Sequence, residues 1–458
     1  MTRIGLTALG VPACLLLSVV WTVVSLPGAA NSESPFCSVP PDPQTPWLPV
    51  TPLPHEKAVP SPRPASDCQF YRPAWHRFLV ATQPAADGIP AFLRYPSFDE
   101  VFQAPHALAT PAHTAGKEAV LLSLSPRNIE RPNDPTPGQQ ALLDNSQAGL
   151  EGAQGGYLID QHGRFVYYAI HVNPAFLQFL RNQGLTTTPG IKQMDPQFTF
   201  LGSDSDIQAG INTNIVEYKS AWTIVDEHHP PTNYFVVSAR VPHYIVSDNT
   251  LSQEMKDGKK VFDTVKVALL AIHVVFTLPG HPEMIWSTFE HVQEKNGSIV
   301  RDNAPAASDN PSLIDQNKAV SSDNFPLYKA NTLWKDGNQP ISDLKTIAQY
   351  WDGKTQSFTK GMTVQTSVFR PYPGSKTNGS SMNPDHMEDD EIIRINNHAT
   401  DMFKDAKAKG LLSRDDQRQN YRLVGAIWLD QPAAGPSPTF LLNKSFTIDS
   451  QQSTDDDG

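Results

Sequence analysis

Cysteine is scarce in this chain. There are 3 in 458 residues, Cys14, Cys37 and Cys68. None sits in C-x-x-C spacing, which argues against a thiolate zinc site and leaves no C-x-x-C-H haem attachment motif. Other signatures are missing too. There is no G-x-S-x-G nucleophile elbow, H-E-x-x-H helix, P-loop or EF-hand loop. The glycine-rich stretch GAQGGY runs into a strand pattern, not into the helix N-terminus that a phosphate cradle requires. A basic stripe is lacking as well: the formal net charge is −11 and the pI about 5.7, so nucleic acid is excluded as a partner. Beyond residue 30, no apolar run approaches membrane-spanning length.

Proline, in contrast, is abundant. The chain has 41, about 9% of its residues against roughly 5% in average usage. Many fall in SVPPDPQTPWLPVTPLPHEKAVPSPRP, which can form neither regular helix nor central strand. Residues 31–66 therefore read as a Pro-rich arm. Upstream, Arg3 precedes an apolar run ending near Val24. Pro27 and the small residues Gly28, Ala29 and Ala30 follow, the pattern of a signal peptide over residues 1–30 cleaved near Ala30. The competing reading is an uncleaved anchor, since the stretch from Gly5 to Leu26 is long enough to span a bilayer. Cleavage places the mature protein in the periplasm or outside the cell and removes Cys14. Cys37 and Cys68 remain, and in an oxidising compartment they are expected to form a disulfide. Closing that loop contributes roughly 3–4 kcal/mol on the chain-entropy account; two free thiols are the alternative.

The body, residues 67–449, reads as a single large domain with a possible subdivision at the polar stretch 294–340, followed by a polar acidic tail at 450–458. DCQFYRPAWHRFLVATQP carries Phe70, Trp75, Phe78 and Leu79 at spacings that suit a short amphipathic helix. GYLIDQHGRFVYYAIHVN is a hairpin pattern. Asn173 then caps a helix with Pro174 at its first position and Gly184 as its stop. NIVEYKSAWTIVD, NYFVVSARVPHYIV, VKVALLAIHVVF and MIWSTFEHV are β-branched and aromatic. They are joined without helical crossovers, which favours antiparallel pairing. Pro340 opens a short helix through Trp351. A longer one runs from about Glu391 to Lys409, with Ile392, Ile395, Ala399, Met402 and Ala406 on one face. YRLVGAIWL and FLLNKSFTI close the chain as strands. The fold class is α+β: β-rich, with a central antiparallel sheet, peripheral helices and long Pro-rich loops.

Chemistry concentrates in AIHVVFTLPGHPEMIWSTFEHV, a hairpin whose register, with its loop at Leu278–Glu283, sets His273 opposite Thr288. Alternation places His273, Val275, Trp286, Thr288 and Glu290 on one face, and Ser287, Phe289 and His291 on the other. His273 and Glu290 are diagonal neighbours. They form either an acid/base pair, half of a metal site, or a buried imidazole satisfied by a carboxylate. In VEYKSAW, Glu217 and Lys219 share a face. They are a solvated ion pair if that face is open and a buried pair of functional weight if it is covered. DEHHPP offers His228 and His229 as further metal ligands beside His273.

The motifs AWHRFLVATQP, GYLIDQHGRFVYYAIHVN, VEYKSAW, ALLAIHVVF…MIWSTFEHV and YRLVGAIW, in this order, resemble a poorly characterised set of exported bacterial proteins, some labelled cytochrome c-like. In those members a haem attachment motif follows the last strand. Here LLNKSFTI is followed by DSQQSTDDDG, with no cysteine and no histidine, so no covalent haem is expected. The residues and the resemblance together favour an exported, haem-less binding or accessory protein with an unidentified ligand or protein partner. The alternative is a metal-dependent or acid/base enzyme using His273 and Glu290, assisted by Lys219 and Glu217.

Overall fold

A computed structural model describes residues 68–101, 157–187, 214–225, 233–304, 315–358, 365–369 and 390–428, apart from a few positions within them, together with 122–123 and 376–378. The chain divides into Met1–Ser34 and Pro35–Gly458, and every described residue belongs to the second unit. The leader, the Pro-rich arm with Cys37, the loop 125–150, His228, His229, the strand FLLNKSFTI and the acidic tail lie outside the described residues.

The fold is α+β and strand-rich, built on a central sheet that is antiparallel apart from two short parallel additions. Its labelled elements are helix α1 (Cys68–Thr82), strand β1 (Tyr167–Val172), helix α2 (Pro174–Asn182), strands β2 (Val216–Ile224), β3 (Val236–Pro242), β4 (Phe262–Leu278), β5 (His281–Lys295) and β6 (Ser298–Arg301), helix α3 (Asp390–Ala408) and strand β7 (Tyr421–Trp428). Strand β4 is the long central one. Val267 and Ala268 pair with β2 on one edge and with β3 on the other. Further along, β5 takes the place of β3 beside β4, β7 pairs with β5, and β1 pairs with β2.

Alternation gives the two faces different jobs. Ile272, Val274 and Phe276 of β4, Tyr218 and Trp222 of β2 and Phe289 of β5 enter the main core. Helices α1 and α3 cover this face with Phe70, Trp75, Phe78, Ile392, Ile395, Ala399 and Phe403. Asn396 clips the layers together: its Oδ1 accepts from Trp75 Nε1 at 3.2 Å and from the Leu423 amide at 3.1 Å, and its Nδ2 donates to the Leu423 carbonyl. Helix α1 carries Pro73 in its second turn, where the ring removes the N–H that would bond the Gln69 carbonyl. Helix α2 starts as the sequence dictates, with Asn173 Oδ1 accepting from the Phe176 amide at 2.8 Å and Pro174 at its first position.

Two local expectations change. The helix after Pro340 is confined to Leu344–Ala348, and Trp351 instead begins a two-residue strand paired with Ser357–Phe358. The stretch 294–340 is not uniformly loop: β5 runs on to Lys295 and turns directly into β6. Polar strand residues there lack the hydrophobic alternation that marks a strand in sequence.

The hairpin before β1 is held by Asp160. Its Oδ1 accepts from the amides of His162 (2.8 Å) and Arg164 (2.9 Å), and its Oδ2 accepts from the Thr223 hydroxyl (2.7 Å). Gly163 sits at φ +76°, where a Cβ would also lie 2.4 Å from the Phe358 carbonyl oxygen, so no other residue fits this turn. Burial raises the Asp160 carboxyl above the usual aspartate range, against the lowering effect of these hydrogen bonds. The folded state therefore holds this proton more tightly than the unfolded one. The stability it contributes is present at acid pH and lost as pH rises from the ordinary aspartate value through the raised one. Asp160→Ala leaves buried donors unpaired and is expected to cost about 2–3 kcal/mol in urea unfolding. Asp160→Asn should cost less and abolish that part of the pH dependence.

Candidate functional site

The sheet face opposite α1 and α3 is where the chemistry gathers. Three cross-strand rows build it. Lys219, His273, Thr288 and Gly425 lie side by side on β2, β4, β5 and β7. One row away are Glu217, Val275 and Trp286, and on the other side Ala221, Ala271 and Glu290. A register shift after Ala221, with Leu270 the extra residue on β4, brings Leu269 opposite Trp222 in the main core, while Ala221 stays off it. The expected pairing of His273 with Thr288, and the sharing of one face by His273, Trp286, Thr288 and Glu290, match the structure.

This face is covered. Glu217, Lys219, His273, Trp286, Thr288 and Glu290 are each less than a tenth exposed, Lys219 only 4%. Glu217 and Lys219 thus form a buried pair, with the ammonium 3.5 Å from the carboxylate and 4.4 Å above the centre of the Trp286 ring. His273 Nδ1 shares a 2.8 Å hydrogen bond with Thr288 Oγ1, and its ring meets Trp286 edge-on. Glu290 turns elsewhere. Its two oxygens take Arg301 Nη1 and Asn303 Nδ2, each at 3.4 Å. The expected His273–Glu290 pair is therefore replaced by two adjoining pairs, His273–Thr288 and Glu290–Arg301, because β6 brings a cation and an amide closer to the carboxylate.

The triplet Arg301-Asp302-Asn303 explains the rest. Arg301 pairs with Val292 across the β5–β6 ladder, so the next residues run alongside His291 and Glu290. Arg301 and Asn303 reach Glu290, while Asp302 accepts from His291 Nδ1 at 3.1 Å and from the Tyr234 hydroxyl at 2.5 Å. His291 is fully buried, stacked on Tyr234 with ring centres 3.4 Å apart and edge-on to Tyr421. Burial, then the neighbouring Asp302 carboxylate, push the Tyr234 phenol well above its ordinary value. Sequence reasoning missed this layer. Its only signal was the alternating polar string VRDN after a short turn, which reads as loop.

Among the described residues no group of three or more His, Cys, Asp or Glu side chains is placed to hold a metal ion. The candidate ligands His228 and His229 lie outside them, as does Cys37, the expected partner of the buried Cys68. Chemically, the face offers an ammonium, an imidazole, two carboxylates, a guanidinium and an amide within neighbouring strands. No family model matches this chain, and no curated protein or solved structure matches it either.

Proposed function

We propose that this is an exported binding protein, without covalent haem, that takes its ligand against the polar face formed by Glu217, Lys219, His273, Trp286 and Glu290. The observation that carries this reading is the Glu217–Lys219 pair. Both groups are charged and buried, yet among the described residues their only polar contact is the 3.5 Å approach to each other. A buried ion pair kept for stability alone needs further hydrogen bonds to offset its desolvation, and buried groups left with unused capacity call for an explanation in function. Export rests on the leader pattern of residues 1–30, and the bridge Cys37–Cys68 on the oxidising compartment that follows from it. No helix among the described residues is long and apolar enough to cross a membrane. The haem-less part of this reading rests on residues 1–458 holding no C-x-x-C-H motif.

A second reading, an acid/base or metal-dependent enzyme, draws on the fixed His273 ring, whose Nδ1 is held by Thr288. Purified mature protein separates the two. We expect a mass corresponding to loss of the leader near Ala30, no thiol titratable after unfolding without reductant, a colourless protein, and metal far below one equivalent. Stoichiometric zinc, copper or iron that disappears in a folded His273→Ala variant would transfer the assignment to the enzyme reading. An uncleaved chain with three titratable thiols would remove export and the bridge together.

A further inference from the structure

We infer that the ligand of this face is an uncharged, hydroxyl-rich small molecule of the sugar or polyol class; the inference rests on the binding reading above. Charge is the first argument. Each cation here already has its anion, Lys219 with Glu217 at 3.5 Å and Arg301 with Glu290 at 3.4 Å. A ligand of net charge would leave one unpaired charge among side chains that are at most 14% exposed. A zwitterion fares no better, since its ammonium would have to share Glu290 with the Arg301 guanidinium.

Unused hydrogen-bonding capacity is the second argument. Asn303, only 4% exposed, spends its Nδ2 on Glu290, and its Oδ1 has no partner among the described residues. Glu290 accepts its two hydrogen bonds at 3.4 Å, beyond the usual N–H···O range of about 2.7–3.2 Å. The Lys219 ammonium has three N–H groups and, among the described residues, only the Trp286 ring and the Glu217 oxygen at 3.5 Å to meet them. The face thus wants a donor at Asn303 and Glu290 and an acceptor at Lys219. A hydroxyl does both from a single atom.

Shape is the third. Around His273 and Glu290 the facing positions are Ala221, Ala271 and Gly425, which keep the rows low beside the taller Lys219, Trp286 and Glu290. Lys219 and Glu290 stand two strand spacings apart and two residues out of register, about 11–12 Å between their Cα atoms. That separation, less the reach of the two side chains, suits one sugar ring with a hydrogen bond at each end. Trp286 adds an aromatic surface beside it.

The test uses the mature protein with a panel of neutral probes (pentoses, hexoses, N-acetylhexosamines, disaccharides and cyclic polyols) alongside free amino acids, dicarboxylates and diamines. Thermal shift and tryptophan emission are the first readouts, with titration calorimetry on the hits. We expect at least one neutral hydroxylated probe to raise the melting temperature. Its affinity should fall tenfold or more in Asn303→Leu, which removes the unpaired acceptor and one donor to Glu290 but neither member of an ion pair, and in Lys219→Met. If Lys219→Met fails to fold, Asn303→Leu and the Trp286 emission change decide alone. Binding of amino acids or charged probes, with none by sugars or polyols, would overturn this inference and leave the binding reading standing. Silence from every class would overturn both, and so would sugar binding undiminished in Asn303→Leu overturn the site.

Discussion

Phe289→Ala is expected to lower the free energy of unfolding by about 3–5 kcal/mol, the range for deleting a large aromatic side chain from a packed core. Phe289 is fully buried on β5, stacked on Phe78 with ring centres 4.3 Å apart, while Trp75 meets it edge-on at 5.0 Å. Both partners belong to α1, so this one ring carries much of the contact between that helix and the sheet. The helix cannot easily follow the lost volume, because Trp75 is also tied to Asn396 of α3. Phe289→Leu keeps most of the volume and should cost only about 1–1.5 kcal/mol. Urea unfolding followed by tryptophan emission measures both. A loss below about 1 kcal/mol in Phe289→Ala would mean that α1 does not pack on β5 as described.

The same hairpin shows what could be read from the sequence and what could not. Pro279 and Gly280, between two runs of β-branched and aromatic residues, mark a turn. The loop expected at Leu278–Glu283 is shorter in the structure, where His281 already pairs with Leu278, and a register shift before Ile285 restores the expected pairing beyond it. That pairing sets His273 opposite Thr288 and puts Glu290 on the face of Trp286, as the structure has it. The burial of Glu217 and Lys219 was not legible. A glutamate and a lysine two residues apart look identical on an open face and on a covered one, and only long-range packing distinguishes them. Arg301, Asp302 and Asn303 were hidden for a related reason. Their strand-like alternation is polar on both faces, so periodicity of hydrophobicity, the main signal for a strand, is silent there. The partners of Glu290 and His291 were therefore missing from the reading, and His273–Glu290 stood in for them. Helix α2, by contrast, was fully legible, because Asn173, Pro174 and Gly184 each act through backbone geometry within their own segment.

The other large effect is expected far from the polar face, where Asp416 and Arg418 lie between α3 and β7. Arg418 donates to both carboxylate oxygens of Asp416, Nη2 to Oδ2 at 2.6 Å and Nε to Oδ1 at 3.0 Å, and Oδ1 also accepts the Arg418 amide. Arg418 Nη1 reaches the Leu79 carbonyl in the last turn of α1. Both residues are nearly inaccessible, at 6% and 3% exposure, so breaking the pair strands a charge in the interior. Asp416→Ala should therefore cost about 3–5 kcal/mol, and Arg418→Met a similar amount. The double variant Asp416→Leu/Arg418→Met, with no charge left to desolvate, should recover most of that loss, because a buried bidentate pair is costly to break yet contributes little over an apolar pair of similar volume. Burial also predicts that the single-variant losses persist in high salt, where an exposed pair would be screened. A strictly additive cycle, or a loss from Asp416→Ala that vanishes at high ionic strength, would place these two side chains in solvent and detach β7 from the end of α1.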